Sequence, residues 1–419
     1  MVSVVAVSPG QHKRSGALKL KNILHSMINI FWGNYSFYLS NYNKLCIIPT
    51  DIVSVPMKFI FGRELDTDEI YDRQDEINSI LKSCDVRQPV AITGYRRMGK
   101  SSVMNVAKSI LEKQNITVIK FNLEGISTVK DYSNRLITSL MDSISKKYKI
   151  KYYKEEIKRR INLFLGSIEQ MGLKIDNFEV LINRYNDYLD QRLKTSEILE
   201  SVLDMPEKLA EDLKIKIVVM IDEFQYIRVL KEPFPDILRI MRSRFNQHKL
   251  VNYVISGSEI GILDEMLNDK NEPFYAFFRT IEIGSFNHEQ SLDFLTKGLA
   301  SEGISCDPEI LETAYKITSG IPAWLNLAGI DLTGKCSIDS FLNDPTYRNI
   351  IARELSGLTK NEISIMKDLS LDKAMPEISI SNKYRVIQSM INKGLVKMDK
   401  KNYKVSDSLT KYYIEKNLI

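Results

Sequence analysis

The sequence GYRRMGKS at residues 94–101 decides the fold class of this chain. It places glycine, glycine, lysine and serine at every fixed position of the phosphate-binding pattern G-x-x-x-x-G-K-[ST]. The glycines let successive backbone N–H groups form a concave nest, and the helix that follows directs its positive N-terminus at the same anion. Lys100 would then reach the β- and γ-phosphates, and the Ser101 hydroxyl would coordinate Mg²⁺. An ordinary glycine-rich turn is the alternative interpretation.

Apolar runs and helical patterns alternate on both sides of this motif, which is the context that phosphate binding requires. Short apolar runs predict strands at residues 89–93, 117–121, 215–221, 252–255 and 280–283. Helical spacing predicts helices at residues 101–111, within the long stretch 131–212, and at 238–245. Strands separated by helices favour a parallel sheet covered on both faces, so we expect an α/β fold.

A second motif is the buried strand Ile217–Ile221, which runs directly into Asp222 and Glu223. In a parallel sheet these carboxylates would lie at the carboxyl edge, beside a phosphate loop carried by a neighbouring strand. Asp222 suits holding Mg²⁺, and Glu223 suits orienting and deprotonating a water that attacks the γ-phosphate. A solvated strand end remains the alternative for this motif taken alone.

Composition excludes several classes of protein. The chain has 419 residues, of which 44% are apolar, with 12 prolines and 19 glycines, so it can bury more than one core. The four cysteines and four histidines are scattered, which predicts neither a disulfide framework nor a zinc site and favours a reducing compartment. No apolar stretch reaches the roughly 18 residues that a membrane span needs, and we expect a cytoplasmic protein.

The pattern along the chain predicts four segments. Residues 1–56 lack a regular apolar period and hold a single acid, so they are expected to be disordered or outside the fold. Residues 57–284 would form the αβ core, and residues 285–355, where strands stop, a separate helical unit. Residues 356–419 carry twelve basic against seven acidic residues and read as helix, helix, hairpin, the order of a winged helix-turn-helix.

At this point the motifs, taken in order, resemble the archaeal ATPase family of the STAND group of AAA+ proteins. The resemblance covers residues 57–419 and rests on five segments of this chain: YDRQDEI at 71–77, GYRRMGKSS at 94–102, IDEFQ at 221–225, ISGS at 255–258 and GIP at 320–322. It implies a nucleotide-binding αβ core, a helical lid and a C-terminal winged helix. It also implies ATP in preference to GTP, with Mg²⁺, and a role as a nucleotide-dependent switch.

The resemblance implies roles for further residues. The whole loop would bind the triphosphate through Gly94, Tyr95, Arg96, Arg97, Met98, Gly99, Lys100, Ser101 and Ser102. Asp72 and Arg73 would lie near the adenine, although a helix cap with a surface ion pair is the alternative. Ser258 would be a polar sensor beside Asp222, or a plain loop hydroxyl. Pro322 would lie where the lid approaches the phosphates, or only mark a helix stop and start.

The chain departs from the family at residues 273–279, PFYAFFR, where relatives often have a Pro-Leu-Tyr-Gly-Arg segment. Arg279 is therefore displaced by two places, and a contact with the γ-phosphate is only one of two expectations for it.

The basic residues of the predicted winged helix are compatible with more than one partner. Side chains on the second helix and the hairpin could bind the phosphates of double-stranded DNA, namely Lys383, Arg385, Lys393, Lys397, Lys400, Lys401 and Lys404. The alternative is a regulatory lever that packs against the ATPase core. The basic stretch 146–160 fits a solvated helix face better than a binding patch. A protein partner or self-association is equally compatible with the sequence.

Overall fold

The computed structural model describes residues 57–147, 195–372, 380–399 and 402–419. The expected N-terminal extension 1–56, most of the basic stretch 146–160, and Lys400 and Lys401 lie outside these ranges. Within them, no helix is both long and apolar enough to cross a membrane.

Five strands of the described chain form one parallel sheet in the order β2-β3-β4-β1-β5. The strands are β1 (Val90–Thr93), β2 (Thr117–Asn122), β3 (Ile217–Asp222), β4 (Val251–Gly257) and β5 (Arg279–Glu282). Every residue of β3 and β4 is buried, as expected for strands covered on both faces. Because β4 lies between β1 and β3, the two sequence motifs are not on neighbouring strands, which corrects that expectation.

Helices of the described chain cover the sheet between its strands. They are α1 (Gln74–Asp85), α2 (Lys100–Lys113), α3 (Val129–Lys147), α4 (Thr195–Leu213), a 3-10 helix (Phe224–Lys231), α5 (Ile237–Gln247) and α6 (Ile260–Asn268). The apolar faces of α3, α4, the 3-10 helix, α5 and α6 form one continuous core with β2, β3 and β4. This core fixes the carboxyl ends of the strands relative to one another.

Among the residues that the structure describes, only helices follow β5 until the C-terminal hairpin. They are α7 (His288–Ser301), α8 (Pro308–Thr318), α9 (Pro322–Gly334), α10 (Ile338–Asn343) and α11 (Pro345–Ser356). Next come α12 (Lys360–Ser370), α13 (Ile380–Asn392), the antiparallel pair β6 (Val396–Asp399) and β7 (Asn402–Val405), and α14 (Ser408–Asn417). The helix α14 was not expected from the sequence.

The segment before α1 crosses the helices that follow the sheet. Phe59 packs edge-on against Phe294 at 5.5 Å between ring centres and lies so close to Gly298 and Gly329 that neither position has room for a Cβ. The backbone N–H of Ile60 donates to Asn326 Oδ1 at 2.7 Å. These contacts hold the next residues of this segment, 60–65, beside the 94–101 loop.

Cys306 and Cys336 form a disulfide, which corrects the expectation that the scattered cysteines encode no disulfide framework. They are 30 residues apart in sequence, but α7, α8 and α9 pack together and bring the two loops to a Cα separation of 5.6 Å. Cys84 is buried as a free thiol. The described residues contain no group of side chains arranged as a metal site of His, Cys, Asp and Glu.

Candidate nucleotide-binding and hydrolysis site

A cleft of about 620 Å³ opens at the carboxyl end of the sheet. The 94–101 loop, the start of α2 and the ends of β2 and β3 form one side, and residues 60–65 with the N-terminus of α9 form the other. Ligands of open α/β sheets bind outside the carboxyl ends of the strands, so this position suits a nucleotide.

The backbone of the 94–101 loop depends on its glycines. Gly94 has φ 156° and passes so close to the Ile283 carbonyl that a Cβ would lie 2.3 Å from its oxygen. Gly99 has φ 90°, in the left-handed region, and immediately precedes α2. Among the described residues no side chain caps this helix start. Its first N–H groups are therefore available to an anion.

Lys100 is buried at the base of the loop, with 5% of its surface exposed. Its Nζ donates to the Tyr95 carbonyl at 2.8 Å. Burial lowers the pKa of Lys100 to about 8, while the charges of Glu223 and Asp222 act in the opposite direction. A polyanion beside this ammonium group would add further stabilisation to its charged form.

Asp222 connects the two motifs through hydroxyl groups. Ser101 Oγ donates to Asp222 Oδ2 at 2.7 Å, and Ser256 Oγ donates to Oδ1. Ser256 lies on β4, the strand between the two motifs, so it bridges the gap that the strand order creates. The result is a nearly buried carboxylate held between two serines at the edge of the cleft.

Glu223 follows Asp222 in a left-handed conformation, with φ 53° and ψ 47°. This turn directs its side chain to the end of β4. Ser258 Oγ donates to Glu223 Oε2 at 2.9 Å, the Ser258 N–H donates to the same oxygen at 3.3 Å, and Gln225 Nε2 makes a further, short hydrogen bond to it. Glu223 and Ser258 both line the cleft.

Oxygen donors at the Ser101–Asp222 contact are compatible with Mg²⁺. A hydroxyl and a carboxylate are hard ligands of the kind that Mg²⁺ prefers, and Mg²⁺ usually takes only one or two protein groups besides phosphate and water. Their 2.7 Å separation shows that both oxygens reach one point at the cleft edge.

The two arginines of the loop turn toward the C-terminal elements. Arg97 donates to Glu354 Oε1 at 2.6 Å and to Asp407 Oδ2 at 3.0 Å, and its guanidinium lies 4.4 Å from the Trp324 ring centre. Arg96 lies 3.6 Å from Glu354 and is 45% exposed. Their side chains therefore neutralise protein carboxylates, although both residues also line the cleft.

The remaining loop residues and Pro322 divide between the two sides of the loop. Ser102 lines the cleft and accepts a hydrogen bond from the Leu65 N–H at 3.2 Å. Tyr95 and Met98 line a smaller cavity of about 40 Å³ between the loop and the C-terminal elements. Pro322 begins α9 and lines the main cleft.

Asp72 and Arg73, expected near the adenine, do not line the cleft. Asp72 accepts a hydrogen bond from Gln290 at the start of α7. Arg73 bonds to Glu76 at 2.9 Å and to the Gly284 carbonyl at 2.5 Å, with its guanidinium over Phe286. Both residues attach α1 to the elements after the sheet, because the chain has already passed the cleft at residues 60–65.

Arg279 lies at the opposite end of the sheet from the loop. It is the first residue of β5 and pairs with Val90 at the start of β1, whereas the loop begins after Thr93 at the other end. At about 3.3 Å per residue this is about 10 Å along the strand. Its Nη1 instead donates to Ser83 Oγ at 3.3 Å. The expectation that Arg279 contacts the γ-phosphate of its own cleft is therefore corrected.

Sequence reasoning missed three parts of this site. Residues 60–65 and Asn326 line the cleft but carry no motif of their own. Ser256 lies within the ISGS segment and Gln225 within IDEFQ, but no spacing in the sequence distinguishes them from their neighbours.

Comparisons with known proteins agree with this geometry. The model of a family described as an ATPase domain predominantly from Archaea matches residues 70–327, more than half of the chain. A Walker-type ATPase of Pyrococcus abyssi superposes with a TM-score of 0.65 at 18% identity, covering 85% of this chain and 99% of that one. The ORC2 protein of Aeropyrum pernix, in ADPNP–ADP complexes, superposes with a TM-score of 0.51 at 12% identity, covering 85% of this chain and 95% of that one. Curated proteins give no match.

Proposed function

The chain belongs to the family of ATPase domains found predominantly in Archaea and is an ATP hydrolase; from that premise we propose the residues that bind and cleave ATP. The observation that carries the proposal is the contact between Ser101 and Asp222 at 2.7 Å. It joins the phosphate loop to the acidic strand end across an intervening strand. Lys100 and Glu223 line the same cleft.

In this proposal the loop N–H groups and the start of α2 hold the phosphates, and Lys100 neutralises their charge. Ser101 and Asp222 would hold Mg²⁺, which neutralises charge on the phosphate oxygens when bound. Glu223 accepts a proton from the attacking water. The adenine of ATP would lie toward residues 60–65 and Asn326, which form the opposite wall of the cleft.

Glu223→Gln tests the assignment of Glu223 as the general base. The substitution keeps the size of the side chain but removes its ability to accept the proton, so turnover should fall by roughly 10² while ATP still binds. Steady-state hydrolysis and equilibrium binding of a labelled nucleotide measure the two effects separately. Glu282→Gln, a carboxylate at the end of β5 on the same sheet edge, is the matched control and should hydrolyse ATP like the parent. Normal turnover in Glu223→Gln would overturn the assignment.

We further propose that the enzyme acts as a nucleotide-dependent switch. The support is the position of Arg97, which is part of the phosphate loop through its backbone and bonds to Glu354 and Asp407 through its side chain. Asp407 also caps the start of α14 and accepts a hydrogen bond from Trp324 Nε1 at 2.8 Å. A change in the loop on nucleotide binding would therefore act directly on the C-terminal helix.

DNA binding by residues 356–419, as a winged helix, is the second candidate. The observation that favours it is an exposed surface on α13 and the hairpin, with Tyr384 65% exposed, Met398 59% exposed and Arg385 also exposed. Lys393 is removed from this candidate set because its Nζ pairs with Glu362 at 2.7 Å. Duplex affinity that falls steeply with salt, and that weakens in Lys383→Ala/Arg385→Ala, would support this role.

A further inference from the structure

Gln225 occupies an unusual position next to the proposed base. It is 4% exposed, and its Nε2 donates to Glu223 Oε2. Only the NH₂ group of an amide can donate to a carboxylate, so this bond fixes the orientation of the amide. The other end of the amide, Oε1, is buried and has no hydrogen-bond partner among the described residues.

Gly257 is the residue that this buried oxygen faces. A Cβ at Gly257 would lie 2.4 Å from Gln225 Oε1, which is closer than real contacts allow. The backbone of Gly257 is not among the glycines with positive φ, so its conformation would accept other residues. The nearest atom to a side chain here is therefore the Gln225 amide oxygen, and Leu263 Cδ2 is next at 3.0 Å.

A buried carbonyl oxygen without a donor lowers stability, so a glutamine in this position needs a compensating role. A leucine would fill much the same volume without leaving a polar atom unpaired. What a leucine lacks is the N–H that holds Glu223.

The hydrogen bonds described for the Glu223 carboxylate all converge on Oε2, from Gln225 and from both donors of Ser258. This fixes the carboxylate plane and leaves the second oxygen, Oε1, to accept a proton. A general base works only when it is held within hydrogen-bond reach of the water, so the angle of this carboxylate affects the rate.

We propose that Gln225 is a positioning residue that orients the Glu223 carboxylate for hydrolysis, and that residue 257 is a glycine to admit the Gln225 amide. The proposal rests on the proposed role of Glu223 as the base. It predicts an effect on kcat and none on nucleotide affinity, because Gln225 is not among the residues that line the cleft.

Gln225→Leu is the main test. We expect kcat to fall by roughly tenfold or more, KM and the ATP dissociation constant to stay within about twofold, and the melting temperature to stay the same or rise. A purely structural role would instead lower the melting temperature together with activity. Unchanged kcat in Gln225→Leu, in a protein whose Glu223→Gln variant is inactive, would overturn this inference and leave the base assignment intact.

Two double variants complete the test. In the Glu223→Gln background, where no base remains to be oriented, Gln225→Leu should cause no further loss of kcat. As a single variant, Gly257→Ala should lower kcat, because its Cβ displaces the amide. In the Gln225→Ala background it should cost less, because only the 3.0 Å contact with Leu263 remains. An equal loss of kcat from Gly257→Ala in the parent and in the Gln225→Ala variant would overturn the proposal. If Glu223→Gln itself keeps normal turnover, the proposed function fails first.

Discussion

The two sides of the 94–101 loop use charge in opposite ways. On the cleft side, Lys100 is buried and its Nζ bonds to the uncharged Tyr95 carbonyl. On the other side, Arg97 contacts two carboxylates, Glu354 and Asp407, within 3.0 Å. One short motif therefore supplies both a cation for the ligand and a cation for the C-terminal elements. The two functions should therefore fail separately when the two side chains are removed.

Lys100→Ala should give the larger effect. It removes the cation that neutralises the β- and γ-phosphates, so both ATP affinity and turnover should collapse, by 10² or more in turnover for a group that stabilises transferring phosphate, as an order-of-magnitude estimate. Nucleotide binding and hydrolysis assays measure this. Lys108→Ala, on the same helix and paired with Glu112 at 2.9 Å, is the control and should retain both activities. Retained ATP binding in Lys100→Ala would contradict the division between the two sides.

Arg97→Ala should affect the other side. Glu354 and Asp407 are partly exposed, so losing their common partner should lower the free energy of unfolding by about 1–3 kcal/mol. ATP affinity should stay within a few-fold of the parent, because the loop backbone is retained. Trp324 contacts both Arg97 and Asp407, so its fluorescence emission should shift. Because Trp32 is the other of the two tryptophans in the sequence, the emission is measured in a Trp32→Phe background.

The control for Arg97→Ala is Arg239→Ala, which breaks a more exposed pair with Asp236 outside the cleft and should leave the melting temperature close to that of the parent. If Arg97→Ala instead abolishes ATP binding like Lys100→Ala, its side chain belongs functionally to the cleft. If it leaves Trp324 emission and stability unchanged, the contact does not couple the loop to the C-terminal elements.

The difference between the two sides also explains how much could be predicted. The cleft side follows from sequence because phosphate chemistry requires fixed residue types at fixed spacing, and Lys100, Ser101, Asp222 and Glu223 all line the cleft as expected. The partners of Arg97 could not be predicted, because Glu354 and Asp407 are more than 250 positions away and no local pattern links them. The order of the strands in the sheet could not be predicted for the same reason.

The positions of helices and strands are easier to predict from the sequence than the way they pack together. The apolar runs predicted each strand of the sheet to within about two residues, because buried parallel strands have a strong local signal. That signal contains nothing about which strands are neighbours, so it does not indicate that Ser256 lies on the strand between the two motifs. The disulfide between Cys306 and Cys336 cannot be predicted for the same reason, since their proximity depends on helix packing.

Arg279→Ala should have the smallest effect. It tests whether every residue that acts on the phosphates within one chain lies at the sheet edge that carries the 94–101 loop. Arg279 begins β5 at the end of the sheet away from the loop, and its guanidinium makes one 3.3 Å hydrogen bond to Ser83. Removing an exposed side chain of this kind should change stability by no more than about 0.5 kcal/mol. At limiting dilution, kcat and KM should equal those of the parent. A loss of turnover at limiting dilution would mean that Arg279 reaches the phosphates of its own chain, contrary to the strand register described here. A loss that appears only as protein concentration rises would show that a neighbouring copy supplies the arginine, and the register would stand.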